Sequence, residues 1–491
     1  MTAPAYRLTV ERTGILLRPN NARVLYRPFE PPSRERAMKI VARVMELSDA
    51  AVEILLAAVL SEFHGRHQRL QQFFFDRFEV VQQHLLTDRP LAESRRQLIG
   101  AYFTQEYALE SAALFNPSIV WHPDQAGLPE GSRRFILSLR AVGEGHVSSV
   151  GFRSGLVDAD GRISLDSPTG YVTAPAVVAN AQYDKDLFLR KLSELGIVDS
   201  VVEAVFGGLE DRFTLGELAA AVARVARQQR GRRGDWEPYE RAIMALARAN
   251  YEIECDPASD VSERVIFPYS PAETNGIEDA RFVRFTDDDG SVRYYATFTA
   301  FDGSVVLPQF VETDDFVRFR VSTLNGPEIA GKGMALFPRK IAGCYAMLSR
   351  QDGENLFYME SDMLHFWHSK RLLMKPTEPW EYVQIGNCGS PIETDAGWLV
   401  LTHGVGPMRK YSIGAVLLDL DDPTRVLGRL REPLLSPTEN ERAGYVPNVV
   451  YTCGAVVHAG RLVVPYSMSD YVTAFATVRL EELLGALTAG Q

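Results

Sequence analysis

The sequence predicts a mainly β protein: a five-bladed β-propeller with a helical N-terminal extension and a helical insertion. Three observations point there. A turn glycine followed by an apolar strand recurs along the chain, the recurrences are spaced near fifty residues, and two blocks of helical periodicity interrupt an otherwise strand-like pattern.

The recurrences begin at Gly131 (GSRRFILSLR), Gly290 (GSVRYYATF), Gly343 (GCYAMLS), Gly397 (GWLVLTH) and Gly460 (GRLVVPYS). The last four are separated by 53, 54 and 63 residues, and the first is displaced from them by a helical block. Short strands punctuated by Gly, Asp and Pro at such a period suit propeller blades, and five copies imply five blades. A β-sandwich with long loops is the alternative that the same strands allow.

The N-terminal block, residues 34–112, reads as helical. Ala37, Ile40, Val41 and Val44 share one face at 3.6-residue spacing, and Ser33 is placed to cap that helix. Further helices are expected over 50–63, with Gly65 as a stop, over 68–85, and after Pro90. Two short strands, 7–10 and 14–17, precede them. A second helical block spans 184–252. There Thr214 and Glu217 have the spacing of a capping box ahead of an Ala-rich helix. Arg230, Arg232 and Arg233, set among Gly231 and Gly234, read as a solvated turn between helices, or else as a contact with a partner subunit. The organisation expected is therefore an extension over 1–112 and a propeller over 113–491, interrupted at 184–252.

The 491 residues are 46% hydrophobic and 23% charged, an ordinary globular composition. A net charge of -11 argues against a nucleic-acid surface, which needs a clustered basic face. Cys255, Cys344, Cys388 and Cys453 lie far apart and form no paired motif, so reduced thiols are expected rather than disulfides or a zinc site. No apolar export signal opens the chain, and the run 54–60 is too short to span a bilayer. The expectation is a cytoplasmic protein with no membrane partner.

In a propeller the inner strands converge on one axis, so equivalent repeat positions meet. Following the five glycines along their strands gives Arg140, Thr299, Arg350, His403 and Ser467. Three of these can be cationic, and cations gathered at the ends of apolar strands imply a bound phosphate or carboxylate, unless each pairs with a local acid. The segment GIEDAR adds Glu278, Asp279 and Arg281 just ahead of a strand. Neighbours on a strand face opposite ways, so one of the two carboxylates can face the axis while the other supports the blade by pairing with Arg281. A carboxyl in a closed cleft can act as an acid, although such a triplet can also be a structural ion-pair network. His365 and His368 lack a ligand cluster and read as structural or surface residues, not a metal site. No phosphate-cradling glycine loop or dinucleotide fingerprint is present.

GIEDAR resembles the IEDxR signature of glycoside hydrolase family 130, the mannosyl-phosphorylases and related β-mannosidases. The further matching stretches, in order, are FNPS at 115–118, LFPRKIAGCYAMLSR at 336–350, GWLVLTHGV at 397–405, YSIGAVLLD at 411–419 and VPNVVYTCGAV at 446–456. The likeness runs over about 112–485, outside the insertion. The helical additions resemble the branch acting on β-1,2-linked oligomannosides. The resemblance implies a five-bladed propeller and an inverting phosphorolysis that gives α-mannose 1-phosphate, with phosphate as co-substrate and no cofactor. It implies Asp279 as the acid, passing its proton through the mannose 3-hydroxyl, which leaves Glu278 to brace the blade against Arg281. Lys332, Arg350 and His403, with Tyr411 nearby, match the phosphate site. Lys332 stands where Arg is more frequent, so a bidentate grip is lost there. Asn116, Arg140 and Asp470 match positions lining the mannose subsite. A homo-oligomer is expected from the amphipathic helices. Two other functions fit the same residues: a β-mannosidase using water, which lacks the basic set, and a propeller that binds glycans without turnover.

Overall fold

The computed structural model describes residues 8–178, 182–197, 200–228, 233–303 and 306–489. Most strands fall into five antiparallel sheets, each built largely from consecutive strands. The first contains Ala113–Trp121, Arg133–Val142 and Ser148–Val157, edged by Val265–Ile266 and Ile163–Leu165. The second runs Ile277–Thr286, Val292–Phe301, Val306–Thr313, Arg318–Thr323, Tyr251–Glu254 and Ala176–Val177. The third is Ala335–Leu336, Tyr345–Ser349, Leu356–Ser361 and Lys370–Met374. In the fourth, Gln384–Asn387 and Ile392–Thr394 flank Gly397–Val405, followed by Tyr411–Leu418 and Val426–Arg429. The fifth pairs Val450–Tyr451 and Val456–His458 with Arg461–Met468, then Val472–Arg479, and takes its outer strand, Val10–Leu17, from the start of the chain.

All five repeat glycines have positive φ, between 68° and 143°, and each turns the chain into the long second strand of its sheet. That backbone region is open to glycine at little steric cost, which is why the residue recurs there. Successive sheets are tied by hydrogen bonds. Phe282 N donates to Ser118 Oγ (3.0 Å), Thr286 N to Pro338 O (2.9 Å), Ile385 N to Glu354 O (2.9 Å) and Tyr411 N to Asn448 O (3.0 Å). Cys453 N then donates to Pro117 O (2.8 Å) and returns the fifth sheet to the first. Apolar clusters fill the seams. One packs Phe152 and Ile266 of the first sheet on Phe282, Phe298 and Phe319 of the second; another packs Leu401 and Leu417 of the fourth on Val464 and Ala476 of the fifth.

The N-terminal helices are Arg34–Met45, Asp49–Phe63, Leu70–Val81 and Glu93–Tyr102. Ser33 caps the first, accepting from Arg36 N (3.2 Å). The predicted face holds: Ala37, Val41 and Val44 are buried with Phe78 and Leu98, and Ile40 packs at their edge. The helical block stops short of residue 112, because Thr104–Ala108 is a strand paired with Val24–Pro28. A two-stranded ladder of this kind depends on a distant partner that local periodicity does not reveal. The early strands are one, Val10–Leu17, bulged between Arg12 and Leu16; Arg7 lies outside the described residues. Glu110, fully buried between Arg23 (2.9 Å) and Arg153 (2.6 Å), fastens this region to the first sheet.

The insertion contains Lys185–Glu194, Ser200–Phe206, Leu215–Gln228 and Arg233–Arg248 around its own core of Phe188, Leu192, Phe206, Phe213, Leu218 and Ile243. The capping box forms: Thr214 N donates to Glu217 Oε2 (2.7 Å), and Glu217 N to Thr214 Oγ1 (3.3 Å). Of the predicted arginine turn, Arg230, Gly231 and Arg232 lie outside the described residues, while Arg233 and Gly234 open a helix. A terminal helix, Leu480–Thr488, was not expected; Leu483 and Leu487 bury against the fourth and fifth sheets. All four cysteines are free. Among the described residues no helix is long and apolar enough to cross a membrane.

Candidate active site

The first strands of the first two sheets carry matching irregularities. The ladder of Ala113–Trp121 shifts register between Phe115 and Ser118, and that of Ile277–Thr286 shifts between Glu278 and Arg281. Inside these bulges Asn116 and Asp279 adopt left-handed backbone, at φ 48° and 56°. Non-glycine residues held in that region are costly, and bulges are a common means of re-aiming a side chain. Here they bring the two residues together: Asn116 Nδ2 donates to Asp279 Oδ1 at 2.6 Å, and Ser467 Oγ of the fifth sheet donates to Asn116 Oδ1 at 3.0 Å.

The bulge overturns one expectation. Strict alternation would send Glu278 and Asp279 to opposite faces. The extra residue places both carboxylates beside Arg140, whose Nη2 donates to Glu278 Oε1 (3.0 Å) and whose Nη1 lies 3.7 Å from Asp279 Oδ1. Glu278 also holds Lys332 Nζ (3.1 Å), so it bridges two site cations and does not brace the sheet against Arg281. Arg281 has a different task, and sequence reasoning gave it too small a role. Fully buried, it donates to Cys388 O (2.9 Å), Asp279 O (2.9 Å) and Tyr451 Oη (2.9 Å), joining the second, fourth and fifth sheets below Asp279. Its place in the IEDxR signature was the available signal. Tyr451 carried none beyond its stretch.

Electrostatics follow from this placement. Burial acts to raise the Asp279 carboxyl, but Arg140, Arg281, Asn116 and Lys332 outweigh it and hold it below the ordinary aspartate value. Asp470 behaves oppositely. Burial, then the negative Asp279, push its carboxyl up to about 7 against the pull of Arg140. Ser469 and Asp470 are both left-handed (φ 50°) in the turn after Arg461–Met468. The turn is anchored by Ser469 N to Val449 O (2.7 Å), Val446 N to Ser469 O (3.0 Å) and Leu114 N to Tyr471 O (3.0 Å).

Arg350 and His403 form a second group. Arg350 Nη1 and His403 Nε2 donate to the Gln384 side-chain oxygen (2.7 and 3.1 Å), and the Gln384 amide nitrogen donates to Gly353 O (3.2 Å). A Cβ on Gly386 would lie 2.5 Å from His403 Cε1 and 2.8 Å from Arg350 Cδ, so only glycine allows the two side chains to sit this close to the strand. His403 is fully buried, and burial, then Arg350 and Arg281, push its imidazole well below its usual range. It is therefore neutral, not the third cation expected from the repeat positions. Tyr411 lies across it, ring centroids 6.1 Å apart, and Tyr451 meets it edge-on at 5.0 Å. Arg350 Nε is buried without a partner among the described residues. Lys332 is the most open of the group, with 45% of its side chain exposed. Thr299 pairs in register with Glu278 and is buried. His365 contacts Glu312 (3.3 Å), His368 is exposed, and no metal-binding group occurs among the described residues.

The family comparison bears on these same segments. The profile of glycoside hydrolase family 130, described as beta-1,4-mannooligosaccharide phosphorylase, matches residues 243–489. The chain belongs to glycoside hydrolase family 130. It is 32% identical over 259 residues to the 1,2-beta-oligomannan phosphorylase of Thermoanaerobacter sp., covering 51% of this chain and 84% of that protein. It is also 32% identical over 231 residues to the beta-1,2-mannobiose phosphorylase of Listeria innocua, covering 45% of this chain and 63% of that protein. The solved structure of the Listeria innocua enzyme with beta-1,2-mannobiose is 22% identical and covers 78% of this chain and 93% of that one, with a TM-score of 0.46. The matched region of this family 130 chain holds Asp279, Lys332, Arg350, His403, Tyr411 and Asp470 but not Asn116 or Arg140. Those two join the site on geometry, through their contacts with Asp279.

Proposed function

We propose that this family 130 chain is an inverting β-mannoside phosphorylase, acting on β-1,2-linked oligomannosides with inorganic phosphate as co-substrate and no cofactor. The observation that carries the reading is a carboxylate cluster around Asp279 linked to an arginine-centred group around Arg350, through Arg281, Tyr451 and His403 on one side and through Lys332 and Gly333 on the other. The relatives' names support the reaction and the linkage. The five sheets, tied in a cycle, are on this reading the blades of one propeller over 113–491, interrupted at 184–252 and preceded by the extension over 1–112.

Phosphate would enter at Arg350, with Lys332 and the Tyr411 hydroxyl as further partners, and neutral His403 would join them by turning its one N–H from Gln384 to a phosphate oxygen. Arg350 offers a planar guanidinium whose Nε is still unpaired. Mannose would lie over Asn116, Arg140 and Asp470, whose donors and acceptors suit sugar hydroxyls. Phosphate attacks the anomeric carbon, the glycosidic bond breaks, and the leaving oxygen takes a proton from Asp279. In the ligand-free protein Asp279 is ionised by its cations. A phosphate dianion drawing on Lys332 and Arg350, and a sugar that excludes water, both act to raise it toward protonation. Because the nucleophile is already an anion, no base is needed to activate it.

One observation favours the hydrolytic alternative. An inverting hydrolase needs a second carboxyl to activate water, and Asp470 titrates near the range where a general base works. Turnover of β-1,2-mannobiose separates the two. The proposal expects cleavage to need inorganic phosphate; free mannose released at an equal rate without phosphate would replace it with the mannosidase reading. A cytoplasmic setting supplies the phosphate and belongs to the same proposal, as does a homo-oligomer. The oligomer is supported by helix Asp49–Phe63, which is apolar beyond the stripe it buries: Ile54 is 70% exposed, with Leu55 beside it.

A further inference from the structure

One loop links the insertion to Lys332 of the site. Residues 324–334 lead from Arg318–Thr323 of the second sheet to the first strand of the third, and Lys332 lies near the end of that loop. At its start the loop meets helix Lys185–Glu194. Lys191 is buried, its Nζ 2.9 Å from Leu324 O and 3.0 Å from Glu194 Oε2. Glu194 Oε1 in turn accepts from Gly326 N at 2.6 Å. The same residues are gripped from the other side. Asn325 N donates to His365 O (3.0 Å) and Trp367 N to Asn325 O (2.9 Å). Gly326 has φ 114°, and a Cβ there would collide with the Trp367 backbone, so the loop has no room to shift toward the third sheet. Its middle is held by Gln351 Nε2 on Glu328 O (3.0 Å) and by the Lys370–Glu328 ion pair (2.5 Å). At its end Lys332 reaches Glu278 (3.1 Å), and the Gly333 backbone lies against Arg350.

We propose that Lys191 and Glu194 of the insertion are positioning residues that set the 324–334 loop and thereby place Lys332 and the Gly333 wall of Arg350. The buried Lys191 ammonium and the partly exposed Glu194 carboxylate satisfy each other and two backbone groups, and displacing the loop would leave the desolvated ammonium unpaired. This is one route by which an insertion with its own core bears on the active site. The inference rests on the phosphate-site reading for its kinetic consequence, and on geometry alone for the loop.

The test uses the full chain with Lys191→Met, Glu194→Gln and Lys191→Arg. In folded Lys191→Met, the apparent KM for inorganic phosphate is expected to rise about tenfold, the effect of losing one charge-assisted contact to backbone. The KM for the oligosaccharide should stay within about twofold, and Lys191→Arg, which keeps charge and reach, should recover most of the loss. Hydrogen exchange of amides 326–333 is measured in parallel and does not depend on what the enzyme turns over. Faster exchange there in Lys191→Met and Glu194→Gln, with the fourth sheet unchanged, supports the positioning role even if the chain proves not to use phosphate. Unchanged exchange in the loop overturns it. So does faster exchange with equal changes in both Michaelis constants, because the pair would then be a general structural brace.

Discussion

Asp470→Asn separates the electrostatic description of the site from its fold. The carboxyl stands near 7 in the native protein, against 3.8 ordinarily, because burial and Asp279 oppose its ionisation. The native state therefore binds this proton more tightly than the unfolded chain. The stability it contributes is fully present below about pH 4, is lost as pH rises toward 7, and is level above that. At about 1.36 kcal/mol per unit, the part lost between pH 5 and pH 8 comes to roughly 3 kcal/mol. Solvent at this partly open group reduces that to about 1–3 kcal/mol. The asparagine variant cannot titrate, so its stability relative to wild type should climb by that amount over the same interval. Urea unfolding of both proteins from pH 5 to pH 8 measures the difference. Parallel pH profiles would mean that Asp470 is ionised throughout, and the description of the carboxylate cluster would be wrong.

Three further outcomes are expected. Asp279→Asn keeps shape but not the transferable proton and should lose ~10²–10⁴-fold in turnover while still binding mannosides; more than a tenth of wild-type turnover, together with an inactive but folded Glu278→Gln, would move the acid to Glu278. Arg350→Ala should raise the apparent KM for phosphate by some thirtyfold, about 2 kcal/mol, with little change in that for the oligosaccharide; an unaltered phosphate dependence in a folded variant places Arg350 outside the site. Sedimentation should find an oligomer at micromolar concentration that dissociates when Ile54 and Leu55 are replaced by charged residues, and a monomeric wild type would remove the role given to that helix.

The architecture was legible where local chemistry dictates it. Each repeat glycine marks a backbone turn that other residues adopt at a cost, so five such turns ahead of five apolar strands announced five sheets. Ser33 and the Thr214–Glu217 pair announced helix starts for a similarly local reason. What was hidden depends on partners far away in sequence. The Val24–Pro28 and Thr104–Ala108 ladder is one case; the closing of the fifth sheet by Val10–Leu17 is another. In the site, residue identities were readable and their facing was not. Alternation assigns Glu278 to the wrong side because a bulge intervenes, and a bulge inserts one residue without a compositional mark when it is built on Asp rather than Gly. His403 was taken for a cation because its burial against Arg350 and Arg281 is a property of three sheets at once.

The central claim is that phosphate, not water, opens the β-mannosidic bond, and that it does so with inversion. Time-resolved ¹H and ³¹P NMR of the wild-type protein with β-1,2-mannobiose and inorganic phosphate tests this most directly. The account predicts α-mannose 1-phosphate as the first product, appearing in step with free mannose from the shortened acceptor, and no cleavage when phosphate is left out. Two equivalents of free mannose with the phosphate resonance unchanged, or β-mannose 1-phosphate as the first product, would contradict it.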